Sequence, residues 1–202
     1  MLIGLTGGIA SGKSTIAEMF EKRGIPVVSA DLVYREEIIK PDTPVWKEIV
    51  DYFGEDILLA NREIDRKKLG NIVFHNWWKR RHLNKITHPS IIRQTMKNAS
   101  ELEREHGRVL VEFPLLYETK AEMLFDLVVV VFTDMQKQVE RLMKRDQISE
   151  QEALYRIHSQ TRIRRNIRKG DIIIYNNNDL ATLEAEVERV FDSLDSLKTA
   201  GV

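Results

Sequence analysis

Five short runs of aliphatic and β-branched residues punctuate the chain: Leu2 to Thr6, Pro26 to Ser29, Arg108 to Phe113, Leu127 to Phe132 and Asp171 to Tyr175. Longer amphipathic stretches separate them. The runs are nearly continuous rather than alternating, which is the pattern of strands buried on both faces of a parallel sheet. The prediction is an α/β fold, a three-layer sandwich with a five-stranded parallel sheet between helices. The last stretch, Leu180 to Leu197, sets Leu183, Val187, Val190, Phe191 and Leu194 at helical spacing and predicts a packing helix, with a frayed tail at Lys198 to Val202.

One gap is out of proportion. Ala30 to Gly107 is much longer than a single crossover helix requires, so helices are expected outside the sheet. This stretch, about 31–106, reads as a helical substrate-binding insertion between core segments 1–30 and 107–200 of one domain. The polar, arginine-rich segment Lys144 to Lys169 (144–169) predicts a mobile lid. The longest apolar run, Leu127 to Phe132, falls far short of the ~20 residues of a membrane-spanning helix. Met1 to Thr6 has no basic leader and runs straight into glycines, which reads as a mature start rather than a signal peptide.

Composition narrows the function classes. With 202 residues, 43% hydrophobic and 31% charged, the chain can bury one sizeable core. Basic and acidic residues balance at 31 each, so no overall field favours nucleic acid or an anionic membrane, and anions must be gripped by local clusters. There is no cysteine, which removes disulfides, thiolate metal sites and cysteine nucleophiles and suits a reducing cytosol.

The candidate chemistry begins after the first strand. Gly7-Gly8-Ile9-Ala10-Ser11-Gly12-Lys13-Ser14 matches the phosphate-loop pattern G-x-x-x-x-G-K-[ST] in full, between a strand and a helix that opens at Ser14. Glycines let backbone N–H groups crowd around phosphate oxygens, and the helix N-terminus adds positive potential. Lys13 supplies a compact charge to the β- and γ-phosphates of ATP, the Ser14 hydroxyl can ligate Mg2+, and Thr15 supports the adjacent phosphate. A P-loop NTPase sandwich is therefore expected. A glycine-rich turn with an exposed lysine is the plainer alternative, and the flanking strand and helix argue against it.

The loop Leu5 to Thr15 resembles that of the dephospho-CoA kinase family, which usually reads TGGIGSGKS, with Ala10 here in place of a glycine. The resemblance continues through Ala30-Asp31, Phe53-Gly54, Asp65-Arg66, Leu69, Ile72-Val73-Phe74, Ile86, His88-Pro89, Pro114-Leu115-Leu116-Tyr117-Glu118, Gln138, Arg141, Arg145-Asp146, Gln160 and Asn176. It thus spans nearly the whole chain in family order. It implies transfer of the ATP γ-phosphoryl group to the ribose 3′-hydroxyl of dephospho-CoA, giving coenzyme A and ADP in a cytoplasmic enzyme. ATP and dephospho-CoA are the partners implied, with no nucleic acid, membrane or obligate protein partner. Gly8, Ala10, Ser11, Gly12, Lys13, Ser14, Thr15, Arg145 and Asn176 become the nucleotide-binding set, with Asn176 near the adenine. Asp31, Lys13 and Arg141 become the catalytic set, Asp31, His88, Leu115 and Leu116 the acceptor side, and Ser14 the metal ligand.

Several of these residues also admit plainer readings. Asp31, just past a strand end, can be a catalytic base or a helix N-cap. Ser29 stands where many family members carry another aspartate. His88-Pro89 can be a helix stop or part of the acceptor pocket. Leu115 and Leu116, in a segment resembling the family's PLLFE, can touch the acceptor or close the core, and Glu112 at the strand end can reach the magnesium through water. Arg141 and Arg145, four apart on one helix face, can reach the ATP phosphates or stack on the adenine. Arg162, Arg164, Arg165, Arg168 and Lys169 form a solvated face or a phosphate clamp. Trp77-Trp78 cannot both face one core from adjacent helical positions, and helix packing by one of them is the reading preferred.

The nearest rival is another P-loop nucleoside- or nucleotide-type small-molecule kinase, which would share loop, sheet and lid. A regulatory GTPase is disfavoured because Asn176-Asn177-Asn178-Asp179 lacks the lysine of a guanine-reading NKxD. An NTPase acting on nucleic acid is disfavoured by the zero net charge.

Overall fold

The computed structural model describes residues 1–160 and 170–199, so Arg162, Arg164, Arg165, Arg168 and Lys169 lie outside the described residues. The chain forms two compact units, one of Met1–Val27 with Leu102–Val202 and one of Val28–Glu101.

The five expected strands are present as β1 (Leu2–Gly7), β2 (Val27–Ser29), β3 (Val109–Glu112), β4 (Leu127–Phe132) and β5 (Ile172–Tyr175), in the spatial order β2-β3-β1-β4-β5. β1 is central and pairs in parallel with β3 (Leu2 opposite Val109) and with β4 (Ile3 opposite Leu127), and β4 pairs with β5. The strand ends shift by about a residue for local reasons. Pro26, which has no N–H to donate, stays outside β2 yet accepts from Leu110 N. Asp171 stays outside β5 and lends its carboxylate to Val128 N at 2.7 Å.

Helices cover the sheet of the first unit. Ile16, Ala17 and Phe20 of α1 (Lys13–Lys22) share one core with Ile3, Leu5, Leu110, Val129, Val131 and Ile174 of the strands, and with Leu183, Val187, Val190, Phe191 and Leu194 of the C-terminal helix (Leu180–Thr199). That arrangement explains why the strands read as continuous apolar runs. Val128 and Val130, whose side chains point the other way, are buried as well. α1 ends where Gly24, at φ 78°, turns the chain so that Ile25 N returns to Phe20 O. Buried Ile25 and Phe20 complete this left-handed C-cap.

The second unit is helical, as the length of the gap between β2 and β3 predicts. α2 (Ala30–Val33) runs into a π-helical turn at Tyr34–Ile38, and α3 (Pro44–Phe53) and α4 (Arg66–Phe74) follow. Thr43 and Asp65 cap α3 and α4 by accepting from Trp46 N and Lys68 N. A short antiparallel bridge, Leu58 with Ile64, lies between them. α5 (Trp77–His106) runs for 30 residues with Pro89 inside it, so His88-Pro89 does not stop the helix. The carbonyl that Pro89 cannot satisfy belongs to Lys85, an exposed residue, where water can take the place of the missing donor. Trp77 and Trp78 are 52% and 63% exposed and stack on each other, so neither packs into a core.

α6 (Met135–Asp146) and α7 (Glu150–Ser159) form a hairpin in the first unit, over the described part of the segment expected as a lid. Among the described residues no helix is long and apolar enough to cross a membrane.

Candidate active site

The central strand β1 runs directly into the phosphate loop, and the loop's backbone explains its composition. Gly12, immediately before α1, has φ 95° and ψ 20°, a left-handed conformation that costs side-chain-bearing residues roughly 1–2 kcal/mol. A Cβ there would also strike the Asn176 amide, and one on Gly8 would strike the amide of Gln138. Ala10 has φ 56°. The glycine usual in the resembling family is therefore replaced at a left-handed position, and the alanine methyl is accommodated because Ile9 and Ala10 pack against Val139, Leu142, Ala153 and Ile157 of α6 and α7.

Lys13 Nζ donates to Gly7 O and Gly8 O at 3.1 Å each, so the ammonium lies across the loop. The Ser14 hydroxyl faces the end of β3, 3.4 Å from Glu112 Oε1. A hydroxyl and a carboxylate oxygen side by side at the helix N-terminus are the hard oxygen donors that Mg2+ accepts. Among the described residues no group of three or more His, Cys, Asp or Glu could hold a metal ion unaided. Mg2+ in kinases draws most of its ligands from phosphates and water, so the pair fits it.

Behind the loop stands a ring of polar side chains. Asn176, 5% exposed, donates to Ser11 O at 2.7 Å, and Thr133 Oγ1 lies 3.1 Å from Ser11 O and 3.2 Å from Asn176 O. Arg141 reaches Asn176 O and Asn176 Oδ1 at 3.2 Å each and Ala10 O at 3.4 Å. Gln138 donates to Ile9 O at 2.8 Å, and Gln160 accepts from Ile9 N at 2.7 Å.

A cleft of about 560 Å³ opens over this loop, bounded by Ala10 to Thr15 on one side and by Arg141, Lys144 and Arg145 on the other. Among the described residues its lining holds four cations and no carboxylate, an environment for a polyanion. Lys144 carries no motif and is not distinguishable by sequence from any exposed lysine. Arg145 is gripped at the rim by Asp146, at 2.7 and 3.1 Å, and Arg156 also holds Asp146 at 3.0 Å. The Arg145 hydrogen bond is the main reason the Asp146 carboxyl titrates below the ordinary carboxylate value.

The acceptor-side candidates divide by burial. Leu116 is fully buried, and a Cβ on Gly4 of β1 would come within 2.9 Å of it, so Leu116 closes the core. Leu115 next to it is 39% exposed. In the second unit, Asp31 sits in the first turn of α2, where Ser29 occupies the N-cap position, and is exposed. His88 is partly buried in α5, and burial lowers its pKa.

Comparison with known proteins decides the family. A family model described as dephospho-CoA kinase matches residues 1–182. The chain belongs to the dephospho-CoA kinase family. It is 43% identical over 199 residues to the dephospho-CoA kinase of Bacillus licheniformis, covering 98% of each chain. Among solved structures, the dephospho-CoA kinase from Campylobacter jejuni superposes with a TM-score of 0.73 at 30% identity and 98% coverage of both chains. The protein TT1252 from Thermus thermophilus superposes with a TM-score of 0.78 at 27% identity, over 96% of this chain and 97% of that one. As a dephospho-CoA kinase family member the chain is a phosphotransferase that uses ATP, and the loop and its cationic cleft are the elements suited to the nucleotide.

Proposed function

We propose that this chain transfers the γ-phosphoryl group of ATP to the ribose 3′-hydroxyl of dephospho-CoA, the final step of coenzyme A synthesis. One observation supports it above the rest: a complete phosphate loop under a cleft lined by four cations, in a chain that matches the family from residue 1 to residue 182.

On this reading the loop N–H groups and Lys13 hold the β- and γ-phosphates, and Arg141, Lys144 and Arg145 face the charge that spreads over the transferring oxygens. Asp31 accepts the proton of the attacking 3′-hydroxyl and releases it to solvent after transfer. Its exposed position in the first turn of α2 leaves its carboxylate accessible for that task. Ser14 would bind Mg2+ directly and Glu112 through water, and the ion would neutralise charge on the β- and γ-oxygens. His88, kept neutral by burial, and the exposed Leu115 line the acceptor side. Asn176 steadies the loop beside the base. ATP and dephospho-CoA are the only partners the reading needs, and a cytoplasmic setting suits an ATP-consuming step.

The deciding assay measures ADP release with Mg-ATP and dephospho-CoA, adenosine, AMP, CMP, shikimate or no acceptor, alongside Asp31→Asn protein. Turnover confined to dephospho-CoA and lost in the variant is expected. Preference for another acceptor would return the chain to the wider class of P-loop small-molecule kinases.

A further inference from the structure

Ile9 has both of its flanking peptide planes clamped from the α6–α7 hairpin. Its N–H, in the plane shared with Gly8, donates to Gln160 Oε1 at 2.7 Å, and its C=O, in the plane shared with Ala10, accepts from Gln138 Nε2 at 2.8 Å. In a trans peptide the carbonyl and the following N–H point in opposite directions. With Ile9 O held outward by Gln138, Ala10 N–H is turned the other way, and Ala10 is a lining residue of the cationic cleft. Fixing both planes restricts φ and ψ at Ile9, and so the approach of the chain to the left-handed residue Ala10 at φ 56°. The apolar contacts of Ile9 and Ala10 with Val139, Leu142, Ala153 and Ile157 brace the same two residues from the side-chain direction.

The two glutamines differ in standing. Gln138 is 5% exposed within α6 and belongs to the packed interior. Gln160 is partly exposed and stands at the C-cap of α7, its own N–H bonded to Ile157 O at 3.2 Å. Its side chain is thus the hydrogen bond by which the end of α7 grips the phosphate loop.

We propose that Gln160 is a positioning residue for nucleotide binding: by holding Ile9 N–H it fixes the Gly8–Ile9 peptide plane beside the plane Gln138 fixes, so setting the loop's path into Ala10, and it ties the end of α7 to the loop. The proposal rests on the reading of this loop as the ATP phosphate site.

Steady-state kinetics of the full chain test it with Gln160→Leu, Gln160→Glu and Lys13→Ala, joined to hydrogen exchange at the Ile9 amide. Losing one neutral hydrogen bond corresponds to about fivefold to tenfold. Gln160→Leu is therefore expected to raise KM for ATP by about that factor and to expose the Ile9 amide to exchange. KM for dephospho-CoA and the melting temperature, within about 2 °C, should not move. Gln160→Glu keeps the acceptor oxygen and should restore the amide's protection. A KM for ATP within about twofold of wild type in Gln160→Leu would overturn the proposal. So would a rise in both KM values together with a fall in melting temperature, which marks a merely structural role. If Lys13→Ala abolishes ATP binding while Gln160→Leu leaves KM for ATP within about twofold of wild type, this proposal alone fails; if Lys13→Ala binds ATP normally, the reading of the loop fails.

Discussion

Asn176 Nδ2 donates to Ser11 O at 2.7 Å, and the same amide occupies the space into which a Cβ on Gly12 would project. The residue after β5 and the glycine before α1 are therefore fitted to each other. Gly12→Ala should weaken ATP binding sharply, and Asn176→Ala should weaken it less. The double variant should lose less than the sum, because removing the amide makes room for the methyl while the left-handed strain stays. A double-mutant cycle on ATP affinity checks this, and strict additivity would refute the steric coupling.

Ala10→Gly sets two effects against each other. It relieves a left-handed strain of roughly 1–2 kcal/mol. It also loses a packed methyl and loosens the unfolded chain by about 0.4–1 kcal/mol. Denaturant unfolding should find a net change within about 1 kcal/mol, and turnover should stay within about twofold. A loss well beyond that would mean the methyl's contacts with α6 and α7 outweigh the strain.

Tyr117 carries a buried hydroxyl with no hydrogen-bond partner among the described residues, and burial, aided by Glu122 and Asp171, pushes its pKa up to about 12. The resembling family pattern has phenylalanine there. Tyr117→Phe removes an unsatisfied polar atom and should stabilise the fold by about 1 kcal/mol. Destabilisation in urea would show that the hydroxyl has a partner, such as a buried water.

Arg141 spans three acceptors, two on Asn176 and one on Ala10, whereas Arg145 is taken up by Asp146. Arg141→Ala should lower kcat by on the order of 10³-fold while most of the protein stays folded. Arg145→Ala should cost less. Parallel circular dichroism melts and kinetics check this, and equal loss of folded fraction and activity would reduce Arg141 to a scaffold role.

Burial lowers the pKa of His88, so between its folded value and the ordinary value of about 6.5 the unfolded chain binds more protons than the folded one. The stability contributed by neutral His88 is full above about 6.5 and is lost as pH falls through the folded value. His88→Gln should flatten that part of the stability profile below about pH 6.5. An unchanged acid slope would assign it to other groups.

How far the sequence could be read depended on whether a signal was contiguous. β4 is a six-residue apolar run and was legible to the residue; the phosphate loop is an eight-residue motif and was legible as chemistry. α5 was obscured because Pro89 reads as a breaker, and its tolerance depends on the exposed surroundings of Lys85. The ring behind the loop was illegible as a unit. Thr133, Gln138, Gln160 and Asn176 are isolated polar residues from four segments, and only the folded chain brings them to one loop. Family resemblance marked Gln138 and Gln160 without giving a role and placed Asn176 near the adenine, and Thr133 carried no signal. Leu115 and Leu116 are chemically identical, and only burial separates them.

The strand that carries the phosphate loop is made well before its ladder partners, which begin at Val109 and Leu127. Until β3 and β4 have been made, β1 lacks its ladder partners, and its apolar residues stay exposed in the nascent chain. Such long sequence separations also slow the folding of the released chain. Assembly of the nucleotide site thus waits on strands made long after the loop itself.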